Sequence, residues 1–513
     1  MQWLSRPFFL GYLIAFFSGA LAVFSLSPFE LWPLALVSAA LFYWLLRELT
    51  PKQAFWRGWC YGFGLFLAGV HWVYVSIHDY GAASPLLAGF LTLIFCMGLA
   101  FLPALTAFIW ARYLRLNQRP IIDTLAFAAL WTLQEVFRSW FLGGFPWLYI
   151  GYSQLNAPLS GLFPIGGVWL ASFILALSAA LFASLIILRK KPLLLSLAFI
   201  LLITPWLAGL TLKGYLWTKP QGAPLSVAAM QGNVPQQLKW QPEQLQAQLD
   251  LYARLTTSAK RSDLMIWPEA AIPVLKQHIE PYLTQVSAFS RKQNSALITG
   301  VPLREDKRYY NAVIALGEGS GTYLKQKLVP FGEYVPLENL LRGIIAFFDL
   351  PMSSFSAGEA NQAPLIAKDR RIAPLICYEV VYPELGRNAA AHSELLLTLS
   401  NDAWFGRSIG PWQHLQMARA RALENGRWLI RATNNGVTAL INPFGQITQQ
   451  IPQFEQKVLY GQVQPMQGQT PWLKWGNWPL LALCGLILVA AVIVRRLCLP
   501  SPPAPLPQAG EGS

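Results

Sequence analysis

RIAPLICYEVVYPELGRNAAAHSELLLTLSNDAWFG, residues 371–406, decides the fold of the polar half of this chain. RIAPLIC (371–377) and ELLLTLS (394–400) are short, apolar, branched-residue runs bounded by polar turns, the signature of buried strands. Between them, 383–391 predicts a helix opened by Pro383. Strand, helix, strand is the repeating unit of a layered α/β domain. The chemistry lies where the strands stop: Cys377 ends the first, and Asn401 and Asp402 follow the second. Ligands of α/β sheets bind beyond the carboxyl ends of strands.

The same alternation extends both ways over 214–470. SVAAM (226–230) and LMIWPE (264–269) read as strands, and the second delivers Glu269 at its end. Leu245, Leu249, Tyr252 and Leu255 fall at helical spacing within 242–261. A helix near 274–294, strands at 296–301 and 310–316, a helix at 411–428 and strands near 429–433, 437–442 and 457–462 complete the pattern.

The remainder is of another kind. The chain has 513 residues, 54% hydrophobic and only 12% charged, against about 25% charged in soluble domains. A helix needs about 20 apolar residues to cross a bilayer. Seven candidates precede the polar region, at 8–24, 31–46, 58–76, 85–110, 121–139, 161–188 and 193–212, and an eighth lies at 477–494. The expected division is a membrane domain over 1–213 with seven transmembrane helices, a catalytic domain over 214–470, an eighth helix within 471–499 and a Pro-rich disordered cytoplasmic tail over 500–513. The first apolar run leads straight into further runs, so it is expected to be retained as a span.

A net charge of +14 invites a nucleic-acid reading, but 214–470 is only mildly basic and the excess sits in short loops. Arg6; Arg47, Lys52 and Arg57; Arg112, Arg115 and Arg119; Arg189, Lys190 and Lys191; and Arg495 with Arg496 occupy one alternate set, while 25–30, 77–84 and 140–160 hold no Lys or Arg. The positive-inside rule then places both termini in the cytoplasm and 214–470 outside it. Trp206, Trp217, Trp472, Trp475 and Trp478 flank the last two spans as interfacial aromatics. Glu135 and Arg138, three apart on one helix face, predict a buried pair.

Of five cysteines, Cys60, Cys96, Cys484 and Cys498 lie in or beside apolar runs, where a thiol packs as a small hydrophobe. No Cys/His spacing fits zinc. Cys377 alone lies in the polar domain, a candidate nucleophile. An unperturbed thiol ionises near about 8.5 and needs a base at neutral pH. His278, His392 and His414 lack a supporting motif, whereas Glu269, set among apolar residues that would raise its pKa, is a candidate acceptor, with Glu333 and Glu379 as further carboxylates.

WPEAA around Glu269, YLKQKLVPFGEYVP around Lys325 and ICYEVVYPE around Cys377 resemble the Glu-Lys-Cys triad of the nitrilase superfamily. With the apolar spans, GFPWLYIGYSQ (144–154), QGNVPQQLKW (231–240), SNDAWFG (400–406) and RATNNG (431–436), the chain resembles the bacterial apolipoprotein N-acyltransferase family over 1–499. The resemblance implies an eight-span helical membrane domain carrying a periplasmic nitrilase-like αββα sandwich in the inner membrane. It implies Glu269 as general base, Lys325 rather than Lys327 as electrostatic stabiliser and Cys377 as nucleophile. Glu333 and Glu379 would be supporting carboxylates, and Trp240 and Trp404 pocket aromatics. It implies no cofactor or metal. The sn-1 acyl chain of a phospholipid, phosphatidylethanolamine by preference, would pass through a Cys377 thioester to the α-amine of a diacylglyceryl-cysteine on an apolipoprotein.

Two rival readings are a membrane-anchored amidase with the same triad and water as acceptor, and a transporter with an outer binding domain. The latter predicts repeated, broken helices that the sequence lacks. LLRGIIAFFDLPM (340–352), apolar and joining two motifs, reads either as a buried core helix or as a lid that dips into the outer leaflet and admits acyl chains.

Orientation is directly testable. With native cysteines removed, a cysteine at Gln244 should react with a membrane-impermeant thiol reagent once the outer barrier is permeabilised, and one at Gln118 should not. Reversed labelling would overturn the reading of the loop charges.

Overall fold

The computed structural model describes residues 9–334 and 354–498. The expected lid, 340–352, falls wholly outside the described residues, as do Arg6 and the tail.

Eight apolar stretches become helical: Phe9–Val23, Pro33–Leu46, Pro51–Gly69 with Trp72–His78, Pro85–Ile109, Pro120–Arg138, Phe163–Leu188, Pro192–Leu212 and Trp478–Cys498. Prolines open five of them, because the ring's fixed φ suits the first helical turn and its missing N–H costs nothing there. By length and apolar composition four are long enough to cross a membrane, or five if the pair Pro51–Gly69 and Trp72–His78, bent by 59°, forms one span. Phe9–Val23 and Pro33–Leu46 are shorter, and Pro120–Arg138 carries Asp123, Glu135 and Arg138.

Within the bundle the helix Pro51–Gly69 packs backbone to backbone against Phe9–Val23. A Cβ at Gly19 would collide with the Tyr61 carbonyl oxygen, and one at Gly64 with that of Phe16. Small residues allow this approach, which apolar side chains in lipid could not drive by hydrophobicity alone. Glu135 and Arg138 are both buried, yet no ion pair joins them. Glu135 accepts from Trp131 Nε1 at 3.1 Å and the Ile150 N–H at 2.9 Å, while the Arg138 guanidinium lies over Phe66 and Tyr149, each 5.1 Å away. Trp472 is likewise not an interfacial residue. It is fully buried, 5.9 Å from Trp169, beside the helix kink at Gly166 and Gly167, whereas Trp475 and Trp478 are exposed.

The polar half is a sandwich of two sheets. One has the strand order Lys457–Val463, Leu225–Gln231, Leu264–Ile266, Ala296–Glu305, Arg308–Gly317, Thr322–Leu324. The other runs Ile447–Ile451, Thr438–Ile441, Leu429–Thr433, Leu395–Ser400, Arg370–Ile376, Leu365–Ala367, Gly319–Ser320. The strands ending at Glu269, Cys377 and Asn401 lie in parallel segments, so their carboxyl ends share one rim. The facing surfaces interdigitate through Val227, Ile266 and Ile298 from one sheet and Ile376, Leu397 and Ile430 from the other. Helices Leu245–Thr257 and Glu280–Lys292 cover the first sheet; Pro383–Ala391 and Gly410–Asn425 cover the second. This is the expected helix–sheet–sheet–helix layering. The strands at 319–320, 322–324 and 365–367 escape sequence reading because they are too brief to show a period, and Ile447–Ile451 because it is an edge strand with three exposed polar residues.

Helix Gly410–Asn425 is wedged between sheet and membrane bundle, and nearly all of it is buried. Gln413 Oε1 accepts from Trp147 Nε1 at 2.6 Å and Trp72 Nε1 at 3.3 Å, and its Nε2 donates to the Gly69 carbonyl at 3.1 Å. Glu424 pairs with Arg421 at 2.7 Å and accepts the Val168 N–H at 2.8 Å, which the kink at Gly166 and Gly167 frees. The two halves therefore form one packed unit around this helix.

Gly64→Leu should separate the first and third helices, since the partner is backbone and cannot give way. Thermal unfolding in detergent should show a large loss of stability, whereas Gly89→Leu, where a Cβ meets open space, should be tolerated.

Candidate active site

Cys377 stands at the junction of strand Arg370–Ile376 and a 3-10 turn, Cys377–Val381, with φ of 50°. A non-glycine residue there costs on the order of 1–3 kcal/mol and persists only where its surroundings over-determine it. They do. His414 Nε2 lies 3.0 Å from the Cys377 carbonyl oxygen, and His414 Nδ1 lies 2.9 Å from Asp402 Oδ1. Asp402 in turn takes Arg431 Nη2 at 2.6 Å. Burial would raise the Asp402 carboxyl, but Arg431 and His414 hold it below the ordinary range. Thus His414 grips the Cys377 backbone rather than its sulfur.

Glu379 secures the turn from the other side. It is fully buried and accepts the N–H groups of Ile376 at 2.7 Å, Gln326 at 2.6 Å and Lys327 at 3.2 Å, plus the Tyr323 hydroxyl at 3.0 Å. Burial pushes its carboxyl up to about 7, against the pull of those donors. It braces the Cys377 turn to the segment that carries Lys325.

Lys325 follows strand Thr322–Leu324 and is 1% exposed. Its ammonium sits between two carboxylates, 3.3 Å from Glu269 Oε1 and 2.8 Å from Glu333 Oε1. Asn311 Nδ2 bridges the same pair, donating to Glu269 at 2.8 Å and Glu333 at 2.9 Å. The Asn401 N–H donates to Glu269 Oε2 at 2.9 Å, and the Val329 N–H to Glu333 Oε2 at 2.9 Å. Every oxygen of both carboxylates is occupied, the condition for burying charge without a large penalty.

The electrostatics correct one expectation. Burial does act to raise Glu269, but the Lys325 ammonium, the Asn311 amide and the Lys239 ammonium outweigh it and hold the carboxyl below its usual value. Burial also drives the half-buried Cys377 thiol well up, reinforced by the charge of Glu269 and opposed by Lys325. Burial would lower Lys325, yet Glu333 and Glu269 raise it far more. At neutral pH the site holds a neutral thiol, an ionised Glu269 and a permanent ammonium. Such a set suits general-base attack, with the proton moving to Glu269 as the sulfur bonds, rather than a standing thiolate.

The structure brings Glu269, Lys325, Glu333 and Cys377 into one electrostatic cluster, with Glu379 behind it. It does not bring Trp404 there: its ring packs on Tyr80 at 5.7 Å and its carbonyl accepts the Ser76 hydroxyl at 2.9 Å, on the membrane side. Trp240 is half-buried beside Lys239, with its indole N–H unpartnered. Sequence reading missed Asn311, whose one signal was an amide inside an otherwise apolar strand, and Lys239. Motifs scattered in sequence interlock behind Glu269: Asn401 Nδ2 donates to Gln236 at 2.7 Å, and Asn434 Nδ2 donates to Asn401 Oδ1 at 3.1 Å and the Val234 carbonyl at 2.8 Å. Tyr378 and Tyr382 hydroxyls bind the Gly144 carbonyl at 3.0 and 3.2 Å, tying the Cys377 turn to the membrane domain. Among the described residues no three His, Cys, Asp or Glu side chains gather as metal ligands.

Residues 18–181 match the family described as the apolipoprotein N-acyltransferase N-terminal domain, and 226–471 match the carbon-nitrogen hydrolase family. The apolipoprotein N-acyltransferase of Azotobacter vinelandii is 60% identical over 502 residues, 97% of each chain. That of Pseudomonas syringae pv. tomato is 58% identical, covering 97% of this chain and 99% of its own, and that of Vibrio parahaemolyticus 41%, covering 95% and 97%. Among solved structures, an amidase from Nesterenkonia sp. aligns at 21% identity and a TM-score of 0.36, over 51% of this chain and 96% of the amidase.

Glu379→Gln places an amide NH2 against backbone N–H donors. The unsatisfied contacts should cost about 1–3 kcal/mol of stability, read by thermal unfolding.

Proposed function

Because the chain belongs to the apolipoprotein N-acyltransferase family, we propose that it N-acylates lipoproteins through a Cys377 thioester, with Glu269 as general base and Lys325 as the oxyanion-stabilising cation. The observation that carries this is the buried Lys325 ammonium, 3.3 Å from Glu269 and 2.8 Å from Glu333, beside a nucleophile held at positive φ.

In the first half-reaction the Cys377 proton passes to the Glu269 carboxylate as sulfur bonds to the sn-1 ester carbonyl carbon of a phospholipid. The tetrahedral oxyanion forms near Lys325, whose pairing with two carboxylates keeps it protonated at every working pH. The C–O bond then breaks, the departing glycerol oxygen takes the proton from Glu269, and lysophospholipid leaves. In the second half, the α-amine of a diacylglyceryl-cysteine attacks the thioester. Glu269 accepts the amine proton and returns it to the departing sulfur, so atoms and charge close over the cycle. Losing one preorganised oxyanion donor typically costs about 10²–10³ in rate.

The rest of the reading follows from this chemistry. Eight spans carry a periplasmic catalytic domain over 214–470, with both termini cytoplasmic, in a bacterial inner membrane; the loop charges support this orientation. The donor is phosphatidylethanolamine by preference and the acceptor an apolipoprotein. Both carry acyl chains that would cost about 0.8 kcal/mol per CH2 to expose to water, so a site joined to the bundle through helix Gly410–Asn425 suits them. Trp240 is a pocket aromatic for these chains, and 340–352 is the lid that admits them.

The test is the intact mass of Cys377 after incubation with phospholipid alone. Wild type should gain one acyl group. Cys377→Ala should gain none, and Glu269→Gln should form it about 10²–10⁴ times more slowly. An acylated Cys377→Ala protein would refute the mechanism.

A further inference from the structure

A second buried lysine faces the triad and has no part in the mechanism above. Lys239 ends a short helix, Gln236–Lys239, just past strand Leu225–Gln231, and is 1% exposed. Its Nζ donates to the backbone carbonyl of Glu269 at 3.0 Å. The Lys239 carbonyl accepts Gln248 Nε2 at 2.9 Å, and Gln236 on the same turn accepts Asn401 Nδ2 at 2.7 Å, so the side chain is delivered by a fixed turn. Among the described residues no carboxylate lies within ion-pair distance of it, unlike Lys325, which has two. The charged groups that act on it are Glu269, beyond strand Leu264–Ile266, and Cys377, beyond strand Arg370–Ile376. Its other neighbours, Gln248 and Gln236, are neutral.

Burying an ammonium without a dedicated counter-ion is costly. The negative charge it meets is the one that moves between Glu269 and the Cys377 sulfur. Lys325 is committed to Glu269 and Glu333 together, so two carboxylates share one cation, and Lys239 brings the cluster to balance.

We propose that Lys239 is a positioning residue of the acyl-transfer site: it fixes the Glu269 backbone and supplies the second positive charge that keeps the Glu269–Cys377 pair anionic during attack. This rests on the Cys377 reading above. Burial pushes the Lys239 amine down to about 8, with Glu269 and Cys377 pulling it back up, so the contribution is present at neutral pH and fades as pH rises through that value.

The experiment uses the full-length protein in detergent and iodoacetamide, a small neutral alkylating reagent, reading the rate at Cys377 by mass. At about pH 7, Lys239→Met should be alkylated at least about tenfold more slowly than wild type, the effect of losing one nearby opposite charge. Above pH 8 the two rates should converge, and Lys239→Arg should keep the neutral-pH rate. A Lys239→Met protein as reactive as wild type overturns the proposal. So does one slowed by the same factor at every pH, because that marks a purely structural loss. Should Lys239→Met not fold, Lys239→Gln takes its place in the same comparison, with the same expected and overturning results. A wild-type Cys377 inert to the reagent contradicts the parent reading instead.

Discussion

The Lys325 ammonium, lodged between Glu269 and Glu333, is the interaction on which the site depends. Removing Lys325 would leave two buried carboxylates without the cation between them, and breaking such a pair costs several kcal/mol, more than the pair itself contributes. The donors around it, Asn311 and the N–H groups of Asn401 and Val329, come from three separate segments. The ion triplet thereby registers both sheets of the sandwich against each other at their common rim. Chemistry and local architecture share the same atoms.

The electrostatic consequence is a thiol that stays protonated until used. Cys377 is driven up by burial and by Glu269, and Glu269 is held down by Lys325, Asn311 and Lys239. A resting thiolate would be open to oxidation and stray alkylation. In the proposed reaction, coupling deprotonation to attack would confine nucleophilicity to the moment when an ester carbonyl is in place. The turn is held from both sides, His414 on the Cys377 carbonyl and Glu379 on the N–H of Ile376, so sulfur position does not depend on its own charge state.

Much of this was legible in the sequence because strand ends announce themselves. Glu269, Cys377 and Asn401 each terminate a short apolar run, and the structure places all three runs in parallel segments. Lys325 was legible only through its motif, because the strand it follows, Thr322–Leu324, forms no apolar run. Asn311 and Lys239 were not legible, since their importance lies in contacts across 42 and 30 residues of sequence. The Glu135–Arg138 spacing gave the right helix face and the wrong partners: aromatic rings and backbone met each group first. Gly19 and Gly64 were silent because a close approach is a property of two helices, not one.

Central to the account is an acyl group that rests on Cys377 and leaves it for an amine. The most direct measurement is a single-turnover chase: load the protein with phospholipid labelled in its sn-1 chain, remove excess donor, then add a diacylglyceryl-cysteinyl peptide and follow label at Cys377 and on the peptide. The account predicts that thioester loss and amide gain proceed at one rate, with little free fatty acid. Label released to water despite the acceptor, or amide formed without prior label on Cys377, would contradict it.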